Sequence, residues 1–175
     1  MSKITTTRSP KGRLLTVEHI TATDSTEEML RKIARYDGND GHILYTERLE
    51  PIPAGMPPAR DKKDGMLAMS ILLRPPVSLT EPAVLSTIGA LALSRIVRRF
   101  SSLSVGIRWP GDLLCGSRRI GSVSVSGDRR AGGSFRYAIV TFFLRISDRA
   151  FAEPLPKIVQ NVFSPVRLTQ TERMA

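Results

Sequence analysis

Residues 107–126 read IRWPGDLLCGSRRIGSVSVS. Proline and glycine make a turn of Trp109–Asp112, between two apolar stretches. Asp112 stands just past that turn, ahead of the arginine pair Arg118 and Arg119. Beyond them, Ile120–Ser126 alternates apolar and polar residues, the period of a half-buried strand. An acid followed by cations beside a turn is a pattern suited to handling a phosphate.

The chain around this stretch has 175 residues, enough for one domain with its own core. Upstream, Leu14–Ile20 and His42–Leu49 read as strands. Between them, Ser25 and Glu28 have capping-box spacing, and Met29, Leu30, Ile33 and Ala34 fall on one helical face. Glu50–Asp64 holds four prolines and reads as a loop. Gly65–Arg74 is short and nearly all apolar, as a buried central strand is. Leu79–Phe100 is the clearest helix, with Thr80 as its cap, Pro82 in its first turn and arginines at its C-terminal end. Val84, Ile88, Leu91 and Ile96 mark its apolar stripe. Ser104–Trp109, Ile120–Ser126 and Phe135–Ile146 are further strands, with a tight connection at 126–133. A short helix fits 153–175. The expected fold is α+β, with a mixed, mostly antiparallel sheet and two main helices. The domain limits expected are a flexible basic N-terminus over 1–13 and a single domain over 14–175.

Net charge is +10 and unevenly spread: residues 1–60 hold nine Lys/Arg and eight Asp/Glu, so nearly all the excess lies beyond them. Such a half calls for an anionic partner, whether nucleotide, acidic protein or nucleic acid, or is simply a solvated basic surface. No aromatic ladder accompanies the arginines, which weighs against stacking on single strands. The longest apolar runs are too short to span a bilayer. One cysteine, Cys115, excludes an internal disulfide and fits a reducing cytoplasm. His19 and His42 have no second ligand at metal spacing, so no metal site is expected.

Three stretches together resemble the catalytic domain of biotin–protein ligases, within the biotin/lipoate ligase superfamily. DSTEEML (24–30) is similar to the family's D-S-T-N segment. GMLAMSILLRP (65–75) and the long helix after it resemble its central strand and second helix. RWPGDLLCGSRRIGSV (108–123) resembles K-W-P-N-D followed, after six residues, by a lysine strand. The resemblance runs from about Leu14 to Ser147 and implies the ligase fold, with neither an N-terminal DNA-binding domain nor a separate C-terminal β-domain.

The resemblance also implies a chemistry. Such ligases join the biotin carboxylate to AMP from ATP, with magnesium, and pass the acyl group to a lysine of a biotin carboxyl carrier protein. Charge that builds on the α-phosphate needs a fixed cation. By position, Ser25, Thr26, Trp109 and Asp112 match ligand-contacting residues and Arg119 the catalytic lysine. A homodimer is also within the family's range. Structural roles stand beside these: Asp24–Thr26 as a helix cap, Trp109 as core, Arg118 and Arg119 as a solvated face.

The departures are specific. Gly111 replaces the asparagine of W-P-N-D, Arg119 forks where lysine is a point charge, and Ser122 stands at an expected glycine. The family's glycine- and arginine-rich adenylate loop should fall within 47–64, where the chain has a single glycine and many prolines. Its G-x-G-I-N strand should match 141–145, where Thr141, Phe143 and Arg145 replace the glycines and asparagine. The expectation is a degenerate ligase homologue with weak or lost adenylation that still binds biotin or a related acyl ligand. The alternatives are an active biotin ligase with an altered loop, and a binding module for nucleic acid or an acidic protein.

Overall fold

The computed structural model describes residues 3–8, 12, 14–36, 38–47, 49, 65–75 and 79–146. The proline-rich segment expected to be a loop, most of the adenylate-loop region and the helix expected within 153–175 lie outside these residues.

The described elements are β1 (Lys3–Arg8), β2 (Leu14–His19), α1 (Thr26–Arg35), β3 (His42–Thr46), β4 (Gly65–Leu73), α2 (Pro82–Phe100), β5 (Gly106–Arg108), β6 (Asp112–Cys115), β7 (Arg118–Arg129) and β8 (Phe135–Ile146). The strands form one sheet in the order β1-β2-β3-β4-β8-β7-β6-β5. Every neighbouring pair is antiparallel except β2 and β3, which run parallel with α1 as their crossover. The architecture is the α+β one expected.

The two helices lie on opposite faces. In β8 the side chains alternate between them. Val140, Phe142 and Leu144 join Leu93, Val97, Val105, Leu113 and Val123 beneath α2. Tyr137 and Ile139 join Leu30, Ala34, Leu44 and Leu72 beneath α1. β8 is thus buried on both sides, which explains its near-continuous apolar sequence.

Helix α1 starts as its sequence dictates: the Ser25 hydroxyl accepts from the Glu28 amide at 3.0 Å. Helix α2 departs from expectation twice. Its N-cap is Glu81, not Thr80, and no side chain caps it. Its buried stripe is Ser86, Gly89, Ala90, Leu93, Ser94 and Val97, while Val84, Ile88 and Leu91 face solvent. Small residues win that face because the helix lies close on the sheet; a Cβ on Gly89 would come within 2.8 Å of Val123 Cγ1.

The N-terminal stretch expected to fray instead supplies the edge strand β1, paired with β2 over six residues. The turn at 109–112 is followed directly by a further strand, β6, which sequence pattern alone does not separate from the turn.

Candidate functional site

Paired residues on neighbouring strands share a face. Two such rows cross the α1 side of the sheet. One runs Asp112, Ser122, Phe143, Ala68, Thr46, and the next runs Ser124, Thr141, Ser70, Leu44. The residues singled out in the sequence gather around these rows.

The Trp109–Pro110 bond is cis. The turn leans on α2, where the Thr87 hydroxyl donates to Pro110 O at 3.2 Å, and Val123 N donates to Gly111 O at 2.8 Å. A Cβ at position 111 would run into the Val123 carbonyl oxygen. The glycine is therefore required by this backbone, and an asparagine would not fit. The turn presents Trp109 with 73% of its surface exposed, which rules out the core role open to it from sequence.

Asp112 is bound from two sides. Its Oδ2 accepts from Arg108 Nη2 at 2.6 Å and from Nε at 3.2 Å. Its Oδ1 accepts from Arg119 Nη1 at 3.3 Å. Arg118, the other arginine of the pair, is exposed. Arg119 reaches Asp112 because the register shifts between Leu113 and Leu114: Leu113 pairs with Gly121 but Leu114 with Arg119. The extra residue, Ile120, packs toward the α2 core, and the bulge puts Arg119 on the same face as Asp112.

Ser25 and Thr26 sit at the other side of this face, and their hydroxyls are already engaged. Ser25 caps α1. Thr26 is 1% exposed, and its hydroxyl bonds to that of Ser70 at 2.9 Å, which bonds in turn to that of Thr141 at 2.9 Å. Thr141 then donates to Glu27 Oε2 at 3.5 Å. The other oxygen of Glu27 takes Ser126 at 2.8 Å and Arg31 at 2.5 Å, and Arg31 also reaches Ser126 at 3.1 Å. A buried hydroxyl needs such partners, since leaving one unmet costs about 1–3 kcal/mol.

The sequence pattern points to Thr26 and Thr141 but not to Ser70, Glu27, Ser126 and Arg31. Two signals for these are present. Ser70 is a lone hydroxyl in an otherwise apolar strand, which calls for a buried partner. Glu27 stands at the asparagine of D-S-T-N, replacing a side chain that donates and accepts with one that only accepts.

On the strand replacing G-x-G-I-N, Phe143 packs against Leu49, Met66 and Ala68. A phenyl ring and a threonine thus stand on the sheet face where glycines would leave bare backbone. No grouping of three His, Cys, Asp or Glu side chains suited to a metal forms among the described residues, and no described helix is long and apolar enough to cross a membrane.

The described residues form a mixed eight-stranded sheet with one helix on each face and a Trp-Pro-x-Asp turn near its β5 edge, an architecture of the biotin protein ligase-like fold. Neither a protein-family model nor a curated protein matches the chain by sequence, but its structure superposes on biotin protein ligases. A point mutant of the Aquifex aeolicus ligase in complex with biotin aligns with a TM-score of 0.58 at 17% identity, over 84% of this chain and 60% of that one. Helicobacter pylori biotin acetyl coenzyme A carboxylase synthetase with bound biotinylated ATP aligns at 0.57 and 13%, over 84% and 70%. A biotin protein ligase-like protein of unknown function from a Silicibacter species aligns at 0.60 and 15%, over 87% and 60%. At these identities the likeness is one of fold, and the chain spans about 60% of the length of the Aquifex protein.

Proposed function

We propose that this chain is a ligase-fold protein that has lost adenylation and binds biotin or a related carboxylate-bearing acyl ligand. One observation carries the reading: Arg119, which takes the place of the ligase lysine, is bonded to Asp112 at 3.3 Å. A guanidinium so held keeps a positive charge at the site, but as a planar fork tied to a carboxylate rather than as the compact point charge of a lysine ammonium. The neighbouring side chains agree. Glu27, ion-paired with Arg31, stands where the ligase pattern has an uncharged asparagine, and the Thr26 and Thr141 hydroxyls are bonded within the protein.

The residues on this face fit a single acid-bearing ligand better than biotin and ATP together. Arg119 would receive the carboxylate, and Ser122 and Ser124 offer hydroxyls on the same face; Trp109 offers an exposed ring on the turn that precedes Asp112. Biotin, ATP and magnesium would all be needed for the active reaction, and a biotin carboxyl carrier protein would be its acceptor. The solved proteins that share the fold include ones described with biotin and with biotinylated ATP, which supports the choice of ligands to try.

Calorimetric titration with biotin, ATP and a non-hydrolysable biotinyl-AMP analogue tests the reading on wild type and Arg119→Ala. Binding of biotin or the analogue, weakened by the substitution, is expected, together with no ATP-dependent labelling of a carrier protein. Label transfer would make the chain an active ligase. No heat with any of the three would remove ligand binding from the proposal.

A further inference from the structure

At the far end of α1 from its Ser25 cap, the fold forms an open groove that joins residues distant in sequence. Arg31, Arg35 and Tyr36 come from the end of α1, Arg74 follows β4, and Arg136 and Tyr137 begin β8. One carboxylate, Asp128, shares the lining, 3.4 Å from Arg136 Nη1. Four guanidiniums line the groove; Glu27 and Glu28 hold Arg31, and Asp128 pairs with Arg136, so Arg35 and Arg74 carry its excess positive charge.

The arginines divide into two kinds. Arg74 is structural: it donates to Gly38 O at 3.0 and 3.2 Å and to Ala34 O at 3.2 Å, satisfying carbonyls at the end of α1. Its guanidinium carbon lies 5.8 Å from the centre of the Tyr137 ring. Arg31 is bound to Glu27 and Ser126. Arg35 and Arg136 are not needed in this way. Arg35 has no ion pair or side-chain hydrogen bond among the described residues, and the Arg136 side chain is 62% exposed. Tyr36 beside them is 87% exposed.

We infer that this groove binds single-stranded nucleic acid, with backbone phosphates on Arg35 and Arg136 and a base stacked on Tyr36. Guanidinium forks match phosphate oxygens, and an exposed aromatic ring takes an unpaired base of any identity. A duplex keeps its bases stacked internally and would leave Tyr36 idle. An acidic peptide would use the arginines but not the ring. The sequence shows no aromatic ladder because a ladder is not how the platform is made: residue 36 and residues 74 and 136 meet only through the sheet. The groove is separate from Asp112 and Arg119, so this inference and the proposed acyl-ligand site stand or fall independently.

Fluorescence anisotropy with a labelled fifteen-nucleotide oligo-dT tests it, on the full chain across a salt series. Wild type is expected to bind, more tightly at low salt. Replacing Arg35 and Arg136 by alanine should weaken binding and lower the slope of log affinity against log salt by about 0.7 for each phosphate no longer neutralised. Tyr36→Ala should weaken binding at least about fivefold and leave that slope unchanged. These side chains are exposed, and circular dichroism should show the variants folded. The inference is overturned by absence of wild-type binding, or by binding that ignores these substitutions. It is equally overturned if a duplex of the same length or polyglutamate competes as well as the oligonucleotide.

Discussion

Gly111 shows how much one position can constrain. Seen in sequence, it is a missing asparagine and a sign of decay. In the folded chain it is the residue that lets the turn lie against Val123, whose carbonyl oxygen occupies the space a Cβ would need. Restoring the ligase residue with Gly111→Asn should therefore harm the protein. We expect a loss of about 1–3 kcal/mol, the usual cost of overpacking, seen as a lower urea midpoint; unchanged stability would show that the turn can move away. Other positions are legible for different reasons. Ser25 is readable as a cap because its partner Glu28 is three residues off. The Thr26–Ser70–Thr141 chain is not, because its members are 44 and 71 residues apart and nothing local links them. The pairing of Asp112 with Arg119 depends on a bulge that side-chain types do not announce.

Among the elements, α2 is legible almost to the residue, yet the face it buries is not. Its apolar residues occur on both sides, so periodicity alone could not choose between a stripe of large residues and one of small ones. Close packing against β7 and β8 chooses the small ones. The two faces should respond very differently to substitution. Leu93→Ala, within the core, should cost about 2–5 kcal/mol, whereas Ile88→Ser on the outer face should stay within about 0.5 kcal/mol. Thermal or urea unfolding of both variants checks this, and equal losses would mean that the outer face is covered in solution. Strand β1 is hidden in the sequence for the opposite reason: KITTTR has no apolar alternation, and it becomes a strand through its ladder to β2. Strands β4 and β8 are legible because burial on both faces leaves an uninterrupted apolar run.

The molecule as a whole responds to pH through at least one group that the fold has shifted. Burial, and then the Glu47 carboxylate, raise the Tyr45 phenol above its ordinary value of 10.0. The Tyr45 ring stacks on His19 with centroids 4.8 Å apart, and His19 Nε2 lies 3.1 Å from Glu47. The folded chain thus holds this proton more tightly than the unfolded chain. Its contribution to stability is complete below pH 10.0 and is lost as pH rises through the raised folded value. Urea midpoints measured up that range should fall, and fall less steeply in Tyr45→Phe; parallel curves would assign the decline to other groups. The α+β architecture itself is legible from element order. The groove at the end of α1 is not, since only the tertiary fold brings its arginines and Tyr36 together.

The strand order also divides the chain cleanly in two. Strands β1 to β4 with α1 come from its first part, strands β5 to β8 with α2 from its second, and the sheet passes between them along nine residue pairs of β4 and β8. Elements of one part do not interleave with those of the other in the sheet. The protein is therefore suited to fragment complementation. Expressed separately, each piece would leave a long ladder edge open and part of its core uncovered. Mixed together, the pieces carry everything needed to close the same seam without a covalent link, and the two ends of a cut between β4 and α2 could report on each other's presence.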